Sequence, residues 1–582
     1  MRLAARMQKK QWHISPADSL SASLASELQV SPILAQLLIN RGVKTADQAK
    51  SFLYPKLNEL IEPEKMPGIM PAVDRIEKAV KDKEKITIYG DYDVDGITSV
   101  SILLGLFKLL DAEVDYYIPH RVDEGYGLNV EAVEQIVSTG VKLIISVDCG
   151  ITAFDSAQAV KDKGIDLIIT DHHRPSNDGK LPPAVAIVHP NLDENYPSQF
   201  NAGATVAFKL AWAVVNRLKG TGATPQHLRQ FLINSTIFAA MGTIADVIEM
   251  KGENRIISSF GLRAFSDSGM PGTKALVDAA KLSSQTIDSY HIGYCLAPML
   301  NAAGRMGHAR LAVELLTSDN AVRAIRIAEY LKQQNRQRQQ TEKAILKQAC
   351  SMMVETGIDH PDRKTIVLAS DEWHTGVIGI VASRLVDKYY RPTILFNITG
   401  DKAQGSGRSI EGFDVLQAIT ACGADLNSFG GHAMAAGLTI DVDKIENFRK
   451  CFEDYALANW KNEEFISRFE IDAVCRIKDL TVSLIKSLAL LGPFGRGNPT
   501  PIFAARGLRL VAAPRKVGAD GEHLQLAVCD NTGSVKCIGF KMAHFEKKLL
   551  ENEFFNIAFE AQVDNFYGQP AVQLVLSDIQ FE

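Results

Sequence analysis

Three aspartates stand at every second position in the segment YGDYDVDGITS, residues 89–99. They are Asp91, Asp93 and Asp95, and they directly follow KITI, an apolar and β-branched run that is typical of a buried strand. Three like charges at the end of a strand repel one another unless a cation compensates them. The segment therefore predicts a divalent-cation site at the tip of a strand.

Three other apolar segments carry side chains that bind metals. IISVDCG ends at Asp148, LIITDHH ends at Asp171, His172 and His173, and MGTIADVIEM contains Asp246. We interpret all three as strand ends, which should converge because ligands of open parallel sheets bind beyond the carboxyl ends of the strands. Carboxylates with imidazoles suit manganese, or magnesium that retains more water. A pair of such ions can position a hydroxide for attack on phosphorus and neutralise the leaving oxygen. The sequence therefore predicts an enzyme that hydrolyses a phosphoester or a phosphoanhydride.

The aspartate triplet alone has two other interpretations. D-x-D-x-D-G also opens an EF-hand calcium loop, but that loop needs a glutamate at its twelfth position, where this chain has Ile102, and a strand rather than a helix precedes it. A solvated turn is compatible with the triplet, yet it leaves the other acidic segments unexplained. We therefore favour the site for two metal ions.

The elements that must position these groups alternate between strand and helix. From residue 76, short β-branched runs alternate with amphipathic helices, which predicts crossover units and a parallel sheet. Neither glycine nor proline occurs between Gly307 and Gly357, which predicts one long helix that bridges two domains. An α/β pattern then resumes, and short alternating runs near the end predict a small antiparallel barrel.

The fold class is therefore α/β with a terminal all-β domain. The predicted domains are an N-terminal helical cap or linker (1–75), a parallel-sheet domain with a helical part (76–318), the connecting helix (319–356), a smaller α/β domain (357–465) and the β-barrel (466–582).

Composition narrows the class of protein. The 582 residues exceed one hydrophobic core, and the apolar and charged fractions, 46% and 23%, are ordinary for soluble globular chains. The net charge of −5 does not indicate a polyanion partner, although it averages over domains. The eight cysteines form no CxxC pair, which argues against a zinc ribbon or a dense disulfide framework. Without a signal-peptide pattern or an apolar run of about 18 residues, we expect a cytoplasmic protein and no membrane contact.

The motifs also resemble a known family. DYDVDG, SVDCG, TDHH and GTIADV are similar, in order and spacing, to the motifs of the DHH phosphoesterase superfamily, and SGRS and GGHAMAAG resemble its associated substrate domain. IPHRVDEGYGLN, NAAGRMG, WHTGVIGIVASRL and LLGPFGRGNP resemble the RecJ family, bacterial exonucleases that degrade single-stranded DNA from the 5′ end. The resemblance extends over residues 80 to 575, nearly the whole chain.

The resemblance implies roles for the matching residues. The implied metal ligands, with Asp148 as the bridge, are Asp93, Asp95, Asp148, His172 and Asp246. Asp91 and His173 are implied to lie at the same site, where they bind metal, hold a metal ligand in place or contact phosphate. With these two residues the implied catalytic set is complete. The residues implied to bind the 5′-phosphate or nearby backbone are Arg121, Arg305, Ser406, Arg408 and His432. His374 resembles a residue near the cleft, with packing beside tryptophan as an equal alternative.

The terminal barrel resembles an OB fold, which binds single strands through basic grooves and aromatic stacking. Its candidate DNA-binding residues are Phe494, Arg496, Arg515 and Lys516, although aromatic residues there are more often core.

The implied function is an exonuclease that degrades single-stranded DNA 5′ to 3′ into mononucleotides, uses two Mn²⁺ or Mg²⁺ ions, and acts in recombinational, mismatch and base-excision repair. The implied partners are single-strand binding protein and a RecQ-type helicase, and the implied state is a monomer. One alternative is another DHH enzyme, a pyrophosphatase, nano-RNase or dinucleotide phosphodiesterase, but these need neither the long helix nor the barrel. The other is a non-catalytic DNA-binding scaffold, which should have lost metal ligands that this chain retains.

Overall fold

The computed structural model describes residues 11–120, 124–125, 127–176, 178–305, 308–360, 362–460, 468–564 and 568–581, with backbone alone at 266 and 305. The N-terminal elements are β1 (Gln11–Ile14), α1 (Leu20–Leu28), α2 (Pro32–Asn40), α3 (Ala46–Leu53) and α4 (Ile69–Lys81). The predicted boundary at residue 75 falls inside α4.

A parallel sheet follows, as predicted. Its elements are β2 (Ile86–Gly90), α5 (Val94–Leu109), β3 (Val114–Tyr117), α6 (Val130–Val137), β4 (Leu143–Val147), α7 (Phe154–Asp162), β5 (Asp166–Thr170) and β6 (Ala186–Val188). The strand order is β3-β2-β4-β5-β6, and every pair is parallel. Alternate strand residues face opposite layers: Ile88 and Ile145 pack with α4 and α5, whereas Tyr89 and Ile144 pack with α6 and α7.

A helical layer completes this domain. It contains α8 (Gly203–Lys219), α9 (Gln226–Ala245), α10 (Gly252–Asp267), α11 (Pro271–Ala279), a π-helical turn (His291–Leu296), α12 (Ala297–Arg305) and α13 (Ala309–Leu316). The interpretation of MGTIADVIEM as a strand end is wrong, because Asp246 directly follows helix α9. Residues 235–243 are buried on all sides of the helix, so the sequence here lacks the alternation of apolar and polar faces that would have revealed a helix.

The predicted bridging helix is α14 (Ala321–Glu355), 35 residues long. At 1.5 Å per residue it extends about 52 Å. Ile327 and Leu331 in its first half belong to the core of the parallel-sheet domain, whereas Ile345 and Ala349 belong to the core of the next domain. The helix therefore joins two separate cores.

The second α/β domain has a mixed sheet. Its elements are β7 (Ile366–Ser370), α15 (Thr375–Tyr389), β8 (Thr393–Thr399), β9 (Lys402–Arg408), α16 (Val415–Ala421), β10 (Leu426–His432), β11 (Ala435–Asp441) and α17 (Ile445–Asn459). The strand order is β10-β11-β9-β8-β7, and of these pairs only β7 with β8 is parallel. A disulfide between Cys422 and Cys451 connects the end of α16 to α17.

The C-terminal domain is mainly β-structure, as predicted. Its elements are β12 (Arg468–Ile471), β13 (Ala473–Val474), α18 (Val482–Leu488), β14 (Phe503–Leu510), β15 (Arg515–Val517), β16 (His523–Cys529), β17 (Ser534–Gly539), α19 (Glu546–Glu551), β18 (Phe555–Asp564) and β19 (Ala571–Phe581). The order is β13-β14-β18-β19-β17-β16-β15, with a further pairing of β14 and β16. The sheet is not purely antiparallel, because β13–β14 and β17–β19 are parallel pairs. Full closure into a barrel stays a prediction.

The N-terminal elements pack on the C-terminal domain. Strand β1 pairs in parallel with β12, and α2 and α3 contribute to the core beneath the β-sheet. Arg41, whose side chain is 4% exposed, donates from Nε to Asn498 Oδ1 at 2.7 Å and from Nη1 to Asp472 at 3.1 Å. From α10, Arg255 donates to the carbonyl of Leu491 at 2.8 Å. These bonds connect the two ends of the chain with the parallel-sheet domain.

Across the described residues, no single helix has the length and apolar character to span a membrane; the bent pair α1 and α2 passes that test only when the two are taken together.

Candidate active site

The aspartate triplet lies where β2 ends and α5 begins. Asp93 is the N-cap of α5, and its Oδ1 accepts hydrogen bonds from the backbone N–H groups of Asp95 at 2.9 Å and Gly96 at 3.1 Å. From α12, Asn301 Oδ1 accepts the N–H of Val94 at 3.1 Å. A carboxylate at a helix N-terminus is stabilised by the unpaired amides and the helix dipole. Hydrogen bonds within the loop and a hydrogen bond from α12 therefore hold the aspartate loop in place.

Asp95 is 1% exposed, and the N-terminus of α8 holds its carboxylate. Oδ2 accepts from the N–H of Gly203 at 2.6 Å, and Oδ1 accepts from that of Ala204 at 2.9 Å. Burial raises the pKa of Asp95 well above its ordinary value, the charges of Asp246 and Asp93 raise it further, and the two amide bonds oppose the shift. A positive charge nearby is needed to keep this carboxylate ionised.

Two glycines make room for the carboxylates. A Cβ at Gly242 on α9 would lie 2.3 Å from Asp95 Oδ1, and one at Gly203 would lie 2.7 Å from Asp148 Oδ1. Asp148 directly follows β4 with a left-handed φ of +61° and is 2% exposed. Burial, followed by the charge of Asp95, raises its pKa well above the ordinary value.

His172, which follows β5, faces three carboxylates. Its Nε2 lies 3.0 Å from Asp148 Oδ1, 3.6 Å from Asp95 Oδ2 and 3.7 Å from Asp246 Oδ2. Burial, together with the charge of His173, lowers the pKa of His172 to about 3, so the imidazole is neutral at pH 7, which is its metal-binding form. Nε2 is buried and makes no hydrogen bond within the described part of the chain. A neutral, buried nitrogen among carboxylates fits a divalent cation.

Asp171 holds the backbone of both histidines and the imidazole of His173, a role that we did not predict. Its Oδ1 accepts the backbone N–H of His172 at 2.7 Å and of His173 at 3.1 Å and lies 2.8 Å from His173 Nδ1, while Oδ2 accepts the N–H of Ile151 at 2.9 Å. Burial would lower the pKa of His173, but the bond and charge of Asp171 outweigh it and raise the pKa to about 9. A carboxylate directly before two candidate ligands is the sequence signal that could have revealed this role.

All seven residues of the predicted catalytic set lie together. Within each of three groups, the possible ligand atoms are within 4.8 Å of one another: Asp91, Asp93 and Asp148; Asp95, His172 and Asp246; and Asp148, His172 and His173. Asp148 and His172 each belong to two groups, which suits a site for more than one cation. The assignment of individual ligands stays a prediction.

Two of the predicted phosphate-binding residues lie together in the second α/β domain. Ser406 and Arg408 are on β9, and Arg408 Nη1 donates to Ser406 Oγ at 3.1 Å. A Cβ at Gly379, in the second turn of α15, would lie 2.8 Å from Ser406 Oγ and 2.9 Å from Arg408 Nη2. His374 is the N-cap of α15, and its Nδ1 accepts the N–H of Gly376 at 3.0 Å. These side chains therefore lie near a helix N-terminus, which favours anions.

The other predicted DNA contacts have varied positions. His432 ends β10 and is in register with Ala435 of β11, which is in register with Arg408, so the two side chains share a face of the sheet. Arg121 lies outside the described residues, and only the backbone of Arg305, the last residue of α12, is described.

The candidate DNA-binding residues of the C-terminal domain lie in different environments. Phe494 packs against the core, Arg515 is exposed on β15, and Lys516 pairs with Glu546 at 2.6 Å. Arg496 lies in a turn before β14, where its charge acts on Asp246.

Comparison with known proteins places these features in a family. The models for the DHH family N-terminal domain, the DHHA1 domain and the RecJ OB domain match residues 85–236, 362–458 and 471–578. The single-stranded-DNA-specific exonuclease RecJ of Bacillus subtilis is 37% identical over 577 residues, which cover 98% of this chain and 71% of that protein. The Escherichia coli protein of the same name is 31% identical over 96% of this chain and 97% of its own length.

The chain belongs to the RecJ family. RecJ from Thermus thermophilus in complex with Mn²⁺ superposes with a TM-score of 0.84 at 29% identity, covering 98% of this chain and 80% of that one. A second RecJ structure bound to manganese has a TM-score of 0.60 at 33% identity, covering 69% of this chain and 97% of its own. The RecJ resemblance found from the motifs is confirmed, whereas the predicted domain boundaries stay predictions.

Proposed function

We propose that this chain degrades single-stranded DNA from the 5′ end to mononucleotides by metal-dependent hydrolysis at the cluster around Asp148 and His172. As a RecJ family member, it is a metal-dependent exonuclease for single-stranded DNA; polarity, product and the use of two ions are the proposal. One observation carries it. Nε2 of His172, neutral and buried, lies within 3.7 Å of three carboxylates whose crowding requires cations.

The protein's own groups have defined tasks in this proposal. Asp171 holds the backbone of His172 and the imidazole of His173, and the α8 amides hold the carboxylate of Asp95 at the cluster. The residues fit Mn²⁺ or Mg²⁺, and the proposed holders are Asp93, Asp95, Asp148, His172 and Asp246. When bound, such ions activate water for attack on phosphorus and neutralise the leaving oxygen.

The end of the strand is the proposed ligand of Ser406 and Arg408. A guanidinium can hold two phosphate oxygens at once, and the nearby N-terminus of α15 adds partial positive charge. A terminal phosphate fixed there while hydrolysis occurs at the metal cluster would give a product of constant length. Binding of the terminal phosphate therefore supports stepwise cleavage from the 5′ end rather than random internal cleavage.

The test compares 5′-phosphorylated and 5′-hydroxyl strands. Arg408→Ala should lower kcat/KM on the phosphorylated strand by about 10- to 100-fold, the loss expected for a bond between charged groups, and should remove the preference for it. Lys402→Ala, at the exposed opposite end of β9, is the matched control and should behave as wild type. An equal loss on the phosphorylated and the hydroxyl strand would contradict recognition of the terminal phosphate.

The setting of the activity is also part of the proposal. By family resemblance, we propose a cytoplasmic monomer that acts in recombinational, mismatch and base-excision repair, with a RecQ-type helicase supplying single strands and single-strand binding protein as a partner. Light scattering of the pure chain and pull-downs with each partner test these assignments; a stable dimer or the failure of both pull-downs would reject them.

A further inference from the structure

Three consecutive residues in the first turn of α10 bond to different parts of the molecule. They are Glu253, Asn254 and Arg255, which are 4%, 4% and 3% exposed. Glu253 Oε1 accepts from Lys209 Nζ of α8 at 2.5 Å, and Arg255 donates to the carbonyl of Leu491 in the C-terminal domain at 2.8 Å. Asn254, which lies between them, bonds instead to two segments that lead to the catalytic cluster.

The carboxamide of Asn254 joins these two segments. Its Nδ2 donates to the carbonyl of Phe200, just before α8, and to the carbonyl of Glu249 at 3.1 Å, three residues after Asp246. Both hydrogens of the NH₂ group are used in this way. Its Oδ1 accepts from Nδ2 of Asn201 at 3.2 Å. The three bonds together connect the start of α8 to the segment that follows α9.

Each of the two segments positions part of the proposed metal site. The amides at the start of α8, two and three residues beyond Asn201, hold the carboxylate of Asp95 at 2.6 and 2.9 Å. The backbone of Asn201 also forms a hydrogen bond with the imidazole of His172. The other segment begins at Asp246, whose Oδ2 lies 3.7 Å from His172 Nε2. The carboxamide therefore connects the segment that holds two proposed ligands with the segment that carries a third.

We propose that Asn254 is a positioning residue for hydrolysis, because its carboxamide sets how far Asp246 lies from Asp95. The inference rests on the proposed function. Asp95, His172 and Asp246 form one of the groups whose possible ligand atoms lie within 4.8 Å of one another. Their separation determines how tightly they hold a cation, and losing a residue that orients metal ligands costs about 10- to 100-fold in metal affinity or activity.

Asn254→Leu tests this role, because leucine has nearly the same shape, adds no charge and can make none of the three bonds. Calorimetric titration of the metal-free protein with Mn²⁺ should show an affinity lowered by about 10- to 100-fold for at least one ion. At saturating Mn²⁺ part of the lost kcat should return. KM for a 5′-phosphorylated single strand should stay within about twofold of wild type, since Asn254 does not touch the strand in this account.

Glu453→Met is the matched control, since it also removes three hydrogen bonds from a buried side chain, but in the second α/β domain. Glu453 is 6% exposed and accepts from the backbone N–H groups of Lys364 at 2.8 Å and Thr365 at 2.9 Å and from the Thr365 hydroxyl at 2.6 Å. Both variants should lower Tm, whereas only Asn254→Leu should lower the affinity for Mn²⁺. An equal loss of affinity in both variants, or none in Asn254→Leu, overturns the inference.

Asn201→Ala provides the test if Asn254→Leu does not fold. It removes one of the three bonds, and it also removes Asn201 Oδ1, which is buried without a hydrogen-bond partner in the described part of the chain, so the cost to stability should be small. Its affinity for Mn²⁺ should fall by about 3- to 10-fold, the loss expected for one hydrogen bond. In EDTA, the amides at the start of α8 should exchange hydrogen for deuterium faster than in wild type. In that case, wild-type affinity and exchange in Asn201→Ala overturn the inference.

The titration with Mn²⁺ also separates this inference from the proposed function. If wild type binds no Mn²⁺, both fail. If wild type binds Mn²⁺ but does not hydrolyse the strand, the proposed function fails, while weaker binding of Mn²⁺ by Asn254→Leu still supports the positioning role. If wild type binds Mn²⁺ and hydrolyses the strand, and Asn254→Leu binds Mn²⁺ equally well, only the inference fails.

Discussion

Asp95 and Asp148 are almost fully buried, and burial raises the pKa of both. Such carboxylates carry their charge at neutral pH only when positive charge compensates them. His172 completes the arrangement, because its low pKa leaves Nε2 neutral and available as a ligand. At the scale of single residues, the site is therefore built for cations.

The first prediction concerns a single ligand. His172→Ala should lower hydrolysis of single-stranded DNA by more than about 100-fold, since losing even the outer partner of a ligand costs about 10- to 100-fold. Asp95→Ala should have the same effect. Asp178→Ala, at an exposed position of the loop that follows the histidines, is the control. Activity assays with calorimetric titration of Mn²⁺ measure the effect, and near-wild-type activity in either ligand variant would refute the site.

The second prediction concerns the free-energy cost of ionising Asp246 in the folded protein when no metal is bound. Burial, followed by the charge of Asp93, raises the pKa of Asp246 to about 7. Because an ordinary aspartate has a pKa near 4, the unfolded chain releases this proton first, and the folded state loses stability as pH rises from about 4 to about 7. In EDTA at pH 8, Asp246→Asn should therefore have a Tm at or above that of wild type, and the difference should vanish near pH 4. A clearly lower Tm at pH 8 would contradict this account.

Convergence of the strand tips of a parallel sheet predicted that the residues after β2, β4 and β5 meet. Asp246 meets them from the end of helix α9, so the reason given for its position was wrong. The sequence patterns did not predict the partners of these residues. Asn301 holds the aspartate loop from a distance of 207 positions in sequence, and the Gly203 amide holds Asp95 across 108 positions. Such contacts depend on tertiary packing, which periodicity does not encode.

At the scale of elements, close approach of α9 to α5 brings Asp246 to the cluster. Gly242 permits this approach, since its missing Cβ leaves space for Asp95 and for the Ala204 methyl group. The segment lacks helical periodicity because its apolar residues are buried on all sides, and this is why its end resembled a strand.

The third prediction tests this approach. Gly242→Ala should improve helix propensity by about 1 kcal/mol and yet lower activity by about 100-fold, because the new methyl group displaces Asp95. Gly269→Ala, in open space, is the control. The measurement combines kcat/KM with circular dichroism. A folded Gly242→Ala protein with full activity would show that the carboxylate position is not critical.

At the scale of the whole molecule, α14 contributes to the core of the domain that carries the proposed metal site and to the core of the domain that carries the candidate end-binding residues. The absence of glycine and proline predicted this helix correctly. The pairing of β1 with β12 was not predictable, because Gln11 and Arg468 are far apart in the sequence and neither strand contains a residue pattern that identifies its partner. Local patterns thus predict elements, whereas contacts between the chain ends require the fold.

The fourth prediction interrupts that helix. Gln339 is exposed near the middle of α14, so Gln339→Pro removes no buried contact but breaks the helix, at a cost of about 3 kcal/mol. We expect both cores to remain folded by circular dichroism and limited proteolysis, while kcat/KM on a 5′-phosphorylated strand falls by more than about 10-fold as the geometry is lost. Gln339→Ala should retain the kcat/KM of wild type. Full activity of a folded proline variant would show that the rigid link is dispensable.

The most direct test of the central claim is a time course on single-stranded DNA labelled at either its 5′ or its 3′ end, with Mn²⁺, Mg²⁺ or EDTA and with a blunt duplex alongside. We predict immediate release of the 5′ label as a mononucleotide, late loss of the 3′ label, an intact duplex and no reaction in EDTA. Early release of the 3′ label, internal cutting, or no cleavage of the strand with either metal would contradict a 5′ to 3′ exonuclease.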